Sequence, residues 1–269
     1  MSNKNYYKDF DNKKILSVKA DEILQGIAVD CVILGFHQKT LKILLNKFVN
    51  YERWMLPGGF IFKDENIDDA AHRILRIRTG LNNMYLRQFY VFGQHQRVDP
   101  EESMLSLLTN EISPEQAKNH WIFQRFISAG YYALVDYTKV EITNSSLDET
   151  KWFNIEDVPE KLFGDHKLVL EVGLNAIREH LNSIPIDYEL LPEKFTMSEL
   201  RSIYETLLEK KLDRRNFQKK MLQMGYIIKL DETRGDHKFK STTLFSFDKE
   251  KYETALKNST IYFAQKDKV

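Results

Sequence analysis

The stretch from Trp54 to Leu81 constrains the fold most, because its glycines and apolar spacing specify a strand, a tight turn and a helix. The sequence Trp54-Met-Leu-Pro-Gly-Gly-Phe60 is typical of a short strand ending in a turn that needs the backbone freedom of glycine. Asn66 is expected to cap the next helix, and Asp69 completes a pair like a capping box. Gly80 is expected to end that helix. The segment therefore predicts a strand–turn–helix unit.

The same stretch resembles the Nudix box, G-x5-E-x7-R-E-U-x-E-E-x-G-U, in which U is an aliphatic residue. The positions that build its scaffold are present as Gly59, Glu65, Arg73, Leu75, Gly80 and Leu81. Three positions where the box has glutamates instead hold Ile74, Ile77 and Arg78. The resemblance thus implies a Nudix fold and argues against Nudix hydrolysis.

The chemistry of these three positions decides whether a metal can bind. Positions i, i+3 and i+4 share one helix face, where glutamates could hold Mg²⁺ over a pyrophosphate. Two isoleucines and an arginine cannot ligate the cation, so no catalytic residue, metal or cofactor is predicted. We expect Ile74 and Ile77 to extend the apolar surface of the helix. Glu65 is then expected to pair locally with Arg73 or Lys63.

The remaining pattern predicts an α/β (α+β) fold. Apolar runs predict strands, and a helix with Asp165 at its N-cap follows them. The strands are expected at 26–36, 41–47, 86–92, 131–135 and 150–153, and the helix at about 166–181. This order is the one that a Nudix α/β/α sandwich with a mixed sheet requires.

After residue 195 the pattern changes to that of a winged helix-turn-helix domain. Thr196–Leu212 has an apolar stripe at helical spacing, and Asp213 is placed to cap a second helix that closes at Gly225. Two strands, at 226–230 and 242–247, flank a charged tip at 231–240. Helix, turn, helix and a two-stranded wing are typical of DNA-binding proteins.

These patterns predict four segments. They are an N-terminal tail at 1–21, a Nudix-like effector-sensing domain at 22–184, a linker at 185–195 and a winged-helix DNA-binding domain at 196–269. An insertion at about 101–124 interrupts the second segment. A loop of this length inside a compact domain tends to be functional, so it either lines the ligand pocket or dimer interface or is an ornament without a role.

The combination resembles the Nudix-related transcriptional regulators of the NrtR and AraR type. The phrases that carry this resemblance are Met55–Phe60, Ser128–Leu134, Trp152–Ile155, Asp165-His166, Phe195–Leu200 and Leu212–Lys220. The resemblance implies a homodimeric repressor that binds palindromic operator DNA and senses a small molecule. That effector is either a sugar such as arabinose or a nucleotide such as ADP-ribose, and the apolar helix face favours a sugar. The alternative is a Nudix hydrolase that acts on a nucleoside diphosphate derivative such as ADP-ribose.

Candidate binding residues fall into two groups. The effector is expected to contact the glycine turn, the box and the loop after a strand end, with the candidates Gly58, Gly59, Glu65, Arg73, Gln94, His95, Arg97 and Arg125. Arginine reads guanine and Asn or Gln reads adenine, while basic residues on the wing contact phosphate. The DNA candidates are accordingly Arg214, Arg215, Asn216, Gln218, Lys219, Lys220, Arg234, Lys238 and Lys240.

Composition limits the remaining possibilities. The single cysteine, Cys31, cannot form a disulfide within the chain, which fits a reducing compartment. No signal-peptide core and no run of about 18 apolar residues is present, so no membrane partner is expected. The seven histidines show no HxH or HExxH spacing. We therefore predict a cytoplasmic protein without a zinc site.

Overall fold

The computed structural model describes residues 19–38, 40–49, 51–82, 85–95, 97, 113, 115, 120–121, 124–142, 144, 148–181, 190–235, 241–251 and 254. These residues separate into two compact units. One unit comprises described residues of 1–35 and 42–175, and the other those of 36–41 and 176–269. Across the described residues, every helix is too short or too polar to cross a membrane.

The first unit is built on a mixed sheet of six strands. The strands are β1 (Ile23–His37), β2 (Thr40–Phe48), β3 (Gly58–Phe62), β4 (Leu86–Phe92), β5 (Ile127–Val135) and β6 (Asp148–Asn154). Their order is β4-β5-β1-β2-β6, and β3 pairs with β1. Strands β1 and β5 run parallel, whereas β3, β4 and β6 pair antiparallel with their neighbours.

Two helices, α1 (Ile67–Thr79) and α2 (His166–His180), cover the sheet. Alternate side chains of a strand point to opposite faces. Val29, Cys31 and Ile33 of β1 accordingly lie in one buried cluster with residues of α1. Val32 faces α2, and a Cβ added to Gly173 of α2 would lie 2.9 Å from Cγ2 of Val32. The predicted α/β/α sandwich is therefore confirmed.

The helix α1 begins and ends where the sequence predicts, but its cap differs. Gly80 follows the helix with a φ of +71°, the left-handed conformation that favours glycine. Asn66 occupies the N-cap position, yet its side chain makes no cap hydrogen bond. Its Nδ2 instead donates to Asp69 Oδ2 over 2.9 Å. The predicted side-chain capping by Asn66 is wrong, because the nearby carboxylate attracts its amide group.

The second unit contains the predicted helix, turn, helix and wing. Its helices are α3 (Met197–Leu207) and α4 (Arg214–Gln223), and its strands are β7 (Phe195–Thr196), β8 (Ile227–Arg234) and β9 (Thr242–Phe247). The sheet order is β7-β9-β8. Asp213 caps α4 by accepting a 2.9 Å hydrogen bond from the Asn216 amide, as predicted. Gly225 follows α4 with a φ of +79°.

Two predicted boundaries in this unit are wrong. The helix α3 ends at Leu207 rather than Leu212, and Glu209 takes a left-handed φ of +53°. The Leu207 carbonyl accepts a 2.8 Å hydrogen bond from Nε of Arg178, a residue far away in the sequence. Strand β8 runs to Arg234, because it pairs with β9 through residues that the sequence assigned to the tip.

Candidate effector site and nucleic-acid interface

The one carboxylate left in the box, Glu65, serves a structural role. Its Oε1 lies 2.5 Å from Arg73 Nη2 and its Oε2 lies 3.0 Å from Arg73 Nε. Oε1 also accepts from the Phe62 amide at 2.8 Å. Both side chains are buried, with 5% of Glu65 and 6% of Arg73 exposed. The expected local pair with Arg73 is confirmed, and it occupies both carboxylate oxygens.

The positions of the missing glutamates are filled by core contacts and an ion pair. Ile74 is 3% exposed and packs closely on Gly59. A Cβ added to Gly59 would lie 3.3 Å from Cδ1 of Ile74. Ile77 is half-buried. Arg78 is buried and forms an ion pair with the buried Asp148 of β6. The helix face thus presents no carboxylate at these three positions.

A second buried cluster lies on the opposite face of the sheet, where Arg97 joins two carboxylates. Its Nη2 lies 3.0 Å from Asp30 Oδ2 and 2.8 Å from Asp165 Oδ1, and its Nε lies 2.9 Å from Asp165 Oδ2. His166 Nε2 lies 3.5 Å from Asp30 Oδ1, while its Nδ1 accepts from the Leu56 amide at 2.9 Å. Asp165 begins α2 as predicted, since its carbonyl accepts from Val169, but its carboxylate is taken by Arg97.

Burial and neighbouring groups shift the pKa values of Asp30 and His166. Burial alone would raise the pKa of Asp30, but electrostatic interaction with His166 and Arg97 and hydrogen bonds from Ser128 and Arg97 bring that pKa below its ordinary value. Burial also lowers the pKa of His166. A neutral His166 that accepts at Nδ1 carries its proton on Nε2, facing Asp30. Arg97 is the cation that lies within 3.0 Å of Asp30 and 2.8 Å of Asp165.

We expect His166 to make the protein sensitive to mild acid. The unfolded chain binds a proton near the ordinary pKa of 6.5, whereas the folded protein binds it only at lower pH. Stability should therefore fall as the pH drops below 6.5, by up to about 1.4 kcal/mol per pH unit. His166→Asn, which keeps an acceptor for the Leu56 amide, should flatten this slope in urea unfolding. His72→Asn, at an exposed position, should leave the slope unchanged.

The predicted effector residues are divided between the two faces of the sheet. Gly59 packs on α1, which also carries Arg73, whereas Gly58 points to the other face. A Cβ on Gly58 would lie 2.7 Å from Asp30 Oδ1, so Gly58 and Arg97 meet around the same carboxylate. Gln94 and His95 are exposed in the segment after β4. Arg125 is exposed too, and its Nη2 donates to the Gly93 carbonyl at 2.8 Å.

Three aromatic rings near Gly58 were missed by the sequence reasoning. Phe60 and Trp121 meet edge to face with their centroids 4.7 Å apart, and Phe126 lies 5.2 Å from Phe60. All three are half-buried. Strand alternation could have placed Phe60 on the face of Gly58, but no local signal links Trp121 in the insertion to β3.

In the second unit, α4 separates an apolar face from a basic one. Phe217 and Met221 are buried, and Phe217 meets Tyr204 of α3 with centroids 5.1 Å apart. The polar residues predicted to contact DNA lie outside this core. Arg214, Arg215, Asn216, Lys219 and Lys220 are exposed, and Gln218 is half-buried. The helix therefore offers a cationic surface on a well-anchored core.

The wing residues differ in what the structure shows of them. Arg234 is partnered at both ends of its guanidinium, with Nη1 at 2.8 Å from Glu199 Oε1 and Nη2 at 2.7 Å from the Lys194 carbonyl. Glu199 also closes the capping box of α3 with Thr196. Arg234 thus fastens the wing to the start of α3. Lys238 and Lys240 lie outside the described residues.

The described residues contain no group of three or more His, Cys, Asp or Glu side chains placed to hold a metal ion. In comparisons with known proteins, residues 24–172 match the NUDIX domain and residues 187–247 match the NrtR DNA-binding winged helix domain. The curated protein "ADPR responsive transcriptional repressor NtrR" of Acinetobacter baylyi is 26% identical over 222 residues, which is 80% of either chain.

Solved structures agree with the fold. NrtR of Shewanella oneidensis, crystallised with a 27mer DNA, superposes with a TM-score of 0.67 at 24% identity and covers 85% of this chain and 96% of its own. A MutT/nudix family protein from Enterococcus faecalis gives a TM-score of 0.62 at 20% identity, covering 91% of this chain and 97% of its own. Both span the two units described above.

Proposed function

Because this chain belongs to the NUDIX domain family and its box lacks the glutamates that would ligate a cation, we propose that it is a ligand-responsive transcriptional repressor. The Nudix unit serves as a sensor without catalysis, and the winged-helix unit reads operator DNA. The observation that carries the proposal is the basic face of α4 over buried Phe217 and Met221, within the residues that match the NrtR DNA-binding winged helix domain. A hydrolase has no need of such a surface.

The proposed effector is ADP-ribose or a closely related nucleotide. The relative from Acinetobacter baylyi is named as responsive to ADPR and matches both units of this chain. In the sequence, the apolar residues that replace glutamates of the box favour a sugar such as arabinose as the effector. However, Ile74 is packed into the core and Arg78 is paired with Asp148, so that face offers a sugar little accessible surface. The sugar alternative therefore has weaker physical support.

We further propose that two copies act as a cytoplasmic homodimer on a palindromic operator. Two winged helices related by twofold symmetry would read half-sites about one helical turn, or a multiple of it, apart. In this arrangement the sensor domain is proposed to end at residue 184 and the DNA-binding domain to begin at residue 196. An effector that weakens operator binding must itself bind less tightly in the presence of operator, since coupling between sites is reciprocal.

Substitutions in the winged helix test this proposal. Arg215 lies in the first turn of α4, where side chains reach base edges, so Arg215→Ala should cost about 1 to 3 kcal/mol on operator DNA and little on random DNA. Lys238 is proposed to contact phosphate, so Lys238→Ala should weaken both DNAs alike and lower the salt slope by about one. Fluorescence anisotropy over a salt series measures both effects.

The control is Arg76→Ala, which removes an exposed arginine of α1 outside the winged helix. It should leave the affinity for both DNAs and the salt slope unchanged. If Arg215→Ala, like Lys238→Ala, weakened operator and random DNA equally, α4 would be only an electrostatic surface. Sequence-specific regulation would then be ruled out as the role of this helix.

A further inference from the structure

The aromatic rings of Phe60, Trp121 and Phe126 form one surface, named here the aromatic platform. Their centroids lie 4.7 Å apart for Phe60 and Trp121, 5.2 Å for Phe60 and Phe126, and 6.5 Å for Trp121 and Phe126. Rings at these separations support one another through edge-to-face and tilted contacts. The three come from separate parts of the chain, namely β3, the insertion and the residue before β5.

The platform shares a sheet face with the polar cluster around Arg97. Phe60 pairs in register with Ala28 of β1, and Asp30 pairs with Gly58. Residues two apart along a strand point to the same side, so Phe60 and Gly58 lie on the face that carries Asp30. Phe126 stands two residues before Ser128, which pairs with Ala28. The carboxylate of Asp30 and the ring of Phe60 therefore lie on the same face.

One guanidinium, that of Arg125, is adjacent to the platform in the sequence. Arg125 precedes Phe126 in the chain and is exposed. Its Nη2 donates to the Gly93 carbonyl. His95 is exposed in the same segment after β4. A guanidinium adjacent in the sequence to an aromatic residue suits a ligand that joins a planar base to phosphate groups.

We propose that the aromatic platform stacks the base of the nucleotide effector, with Trp121 of the insertion as its main contact and Arg125 directed at the phosphates. This inference rests on the proposed function, because it names the residues that recognise the effector. Indole offers the largest π surface among the protein side chains and is half-buried here. Any nucleobase can stack on such a surface, because every base has a π face. Trp121 is thereby assigned to the ligand site.

The matched variants are Trp121→Leu, which removes the aromatic surface, and Trp121→Phe, which keeps one. Loss of stacking should weaken ADP-ribose binding about fivefold to 150-fold in Trp121→Leu. Trp121→Phe should retain most of the affinity in calorimetry. Trp54→Phe is the control, since Trp54 packs against Phe153 elsewhere in the unit. Binding of ribose 5-phosphate, which has no base, should be the same in all variants.

Fluorescence provides a readout that a merely structural role would not change. The chain has three tryptophans, so ADP-ribose should quench emission in the wild type and in Trp54→Phe but not in Trp121→Phe. Operator binding without effector should be unaffected by every variant.

Three results would overturn the inference. Equal ADP-ribose affinity of Trp121→Leu and wild type would reject stacking while leaving the repressor function intact. A parallel loss of ribose 5-phosphate binding would assign Trp121 to the fold. Absence of ADP-ribose binding by the wild type would reject the nucleotide as effector, whereas failure to bind operator DNA would separately reject the proposed function.

Discussion

Replacement of Arg97 by methionine is expected to destabilise the protein by about 3 to 5 kcal/mol, because it leaves the buried carboxylate of Asp30 and the half-buried one of Asp165 without their counterion. Asp30 is 6% exposed, and Asp165 loses both of its hydrogen bonds from the guanidinium. Methionine has a similar length and can fill part of the space, so the charge should dominate the effect. Urea unfolding of the full chain measures the change.

Two variants test the cause of this loss. Arg76→Met removes an exposed arginine of α1 and should change the free energy of unfolding by less than about 0.5 kcal/mol. Combining Arg97→Met with Asp30→Asn and Asp165→Asn removes the stranded charges and should recover part of the stability. A loss below about 1 kcal/mol for Arg97→Met would mean that water reaches the cluster and solvates both carboxylates.

The second large effect is expected from Ile74→Glu, which restores one glutamate of the box. Ile74 lies in the buried apolar cluster between α1 and the sheet, and its side chain packs against Gly59. An unpaired carboxylate there should cost at least about 3 kcal/mol of unfolding free energy. Hydrolysis of ADP-ribose with Mg²⁺ or Mn²⁺ should nevertheless stay at background, since one restored ligand does not build a divalent site.

The matched variant is Ile77→Glu on the same helix, at a half-buried position. Its carboxylate can reach water, so we expect a loss of less than half of that caused by Ile74→Glu. Equal losses would show that the helix face as a whole is closed to solvent. Clear turnover of ADP-ribose by the wild type, abolished by Glu65→Gln, would instead favour the hydrolase alternative.

Features with local causes could be predicted from the sequence. The glycine turn, the helix that ends at Gly80 and the capping of α4 by Asp213 each depend on residues within a few positions of one another. Strand β4 has the predicted bounds because its apolar run coincides with its pairing to β5. The sequence offered Arg73 or Lys63 as the local partner of Glu65, and the structure selects Arg73. Loss of the metal ligands is visible from residue types alone.

Features that depend on remote contacts were decided only by the tertiary structure. The helix α3 ends at Leu207, five residues before the predicted end, and the Leu207 carbonyl accepts a hydrogen bond from Arg178. No residue spacing in the sequence predicts this contact. Arg97 meets Asp30 and Asp165 from 67 and 68 residues away, so its guanidinium is paired with carboxylates that the sequence does not place beside it.

The division of the predicted effector residues has the same origin. Gly58 and Gly59 are neighbours in the sequence, but consecutive residues of a strand point to opposite faces, so they belong to different surroundings. Trp121 meets Phe60 through tertiary packing, although the two residues lie far apart in the sequence. Sequence patterns determine which elements form, since capping and periodicity act over a few residues. Packing determines which side chains meet, because burial in a shared face brings together groups that chain order keeps apart.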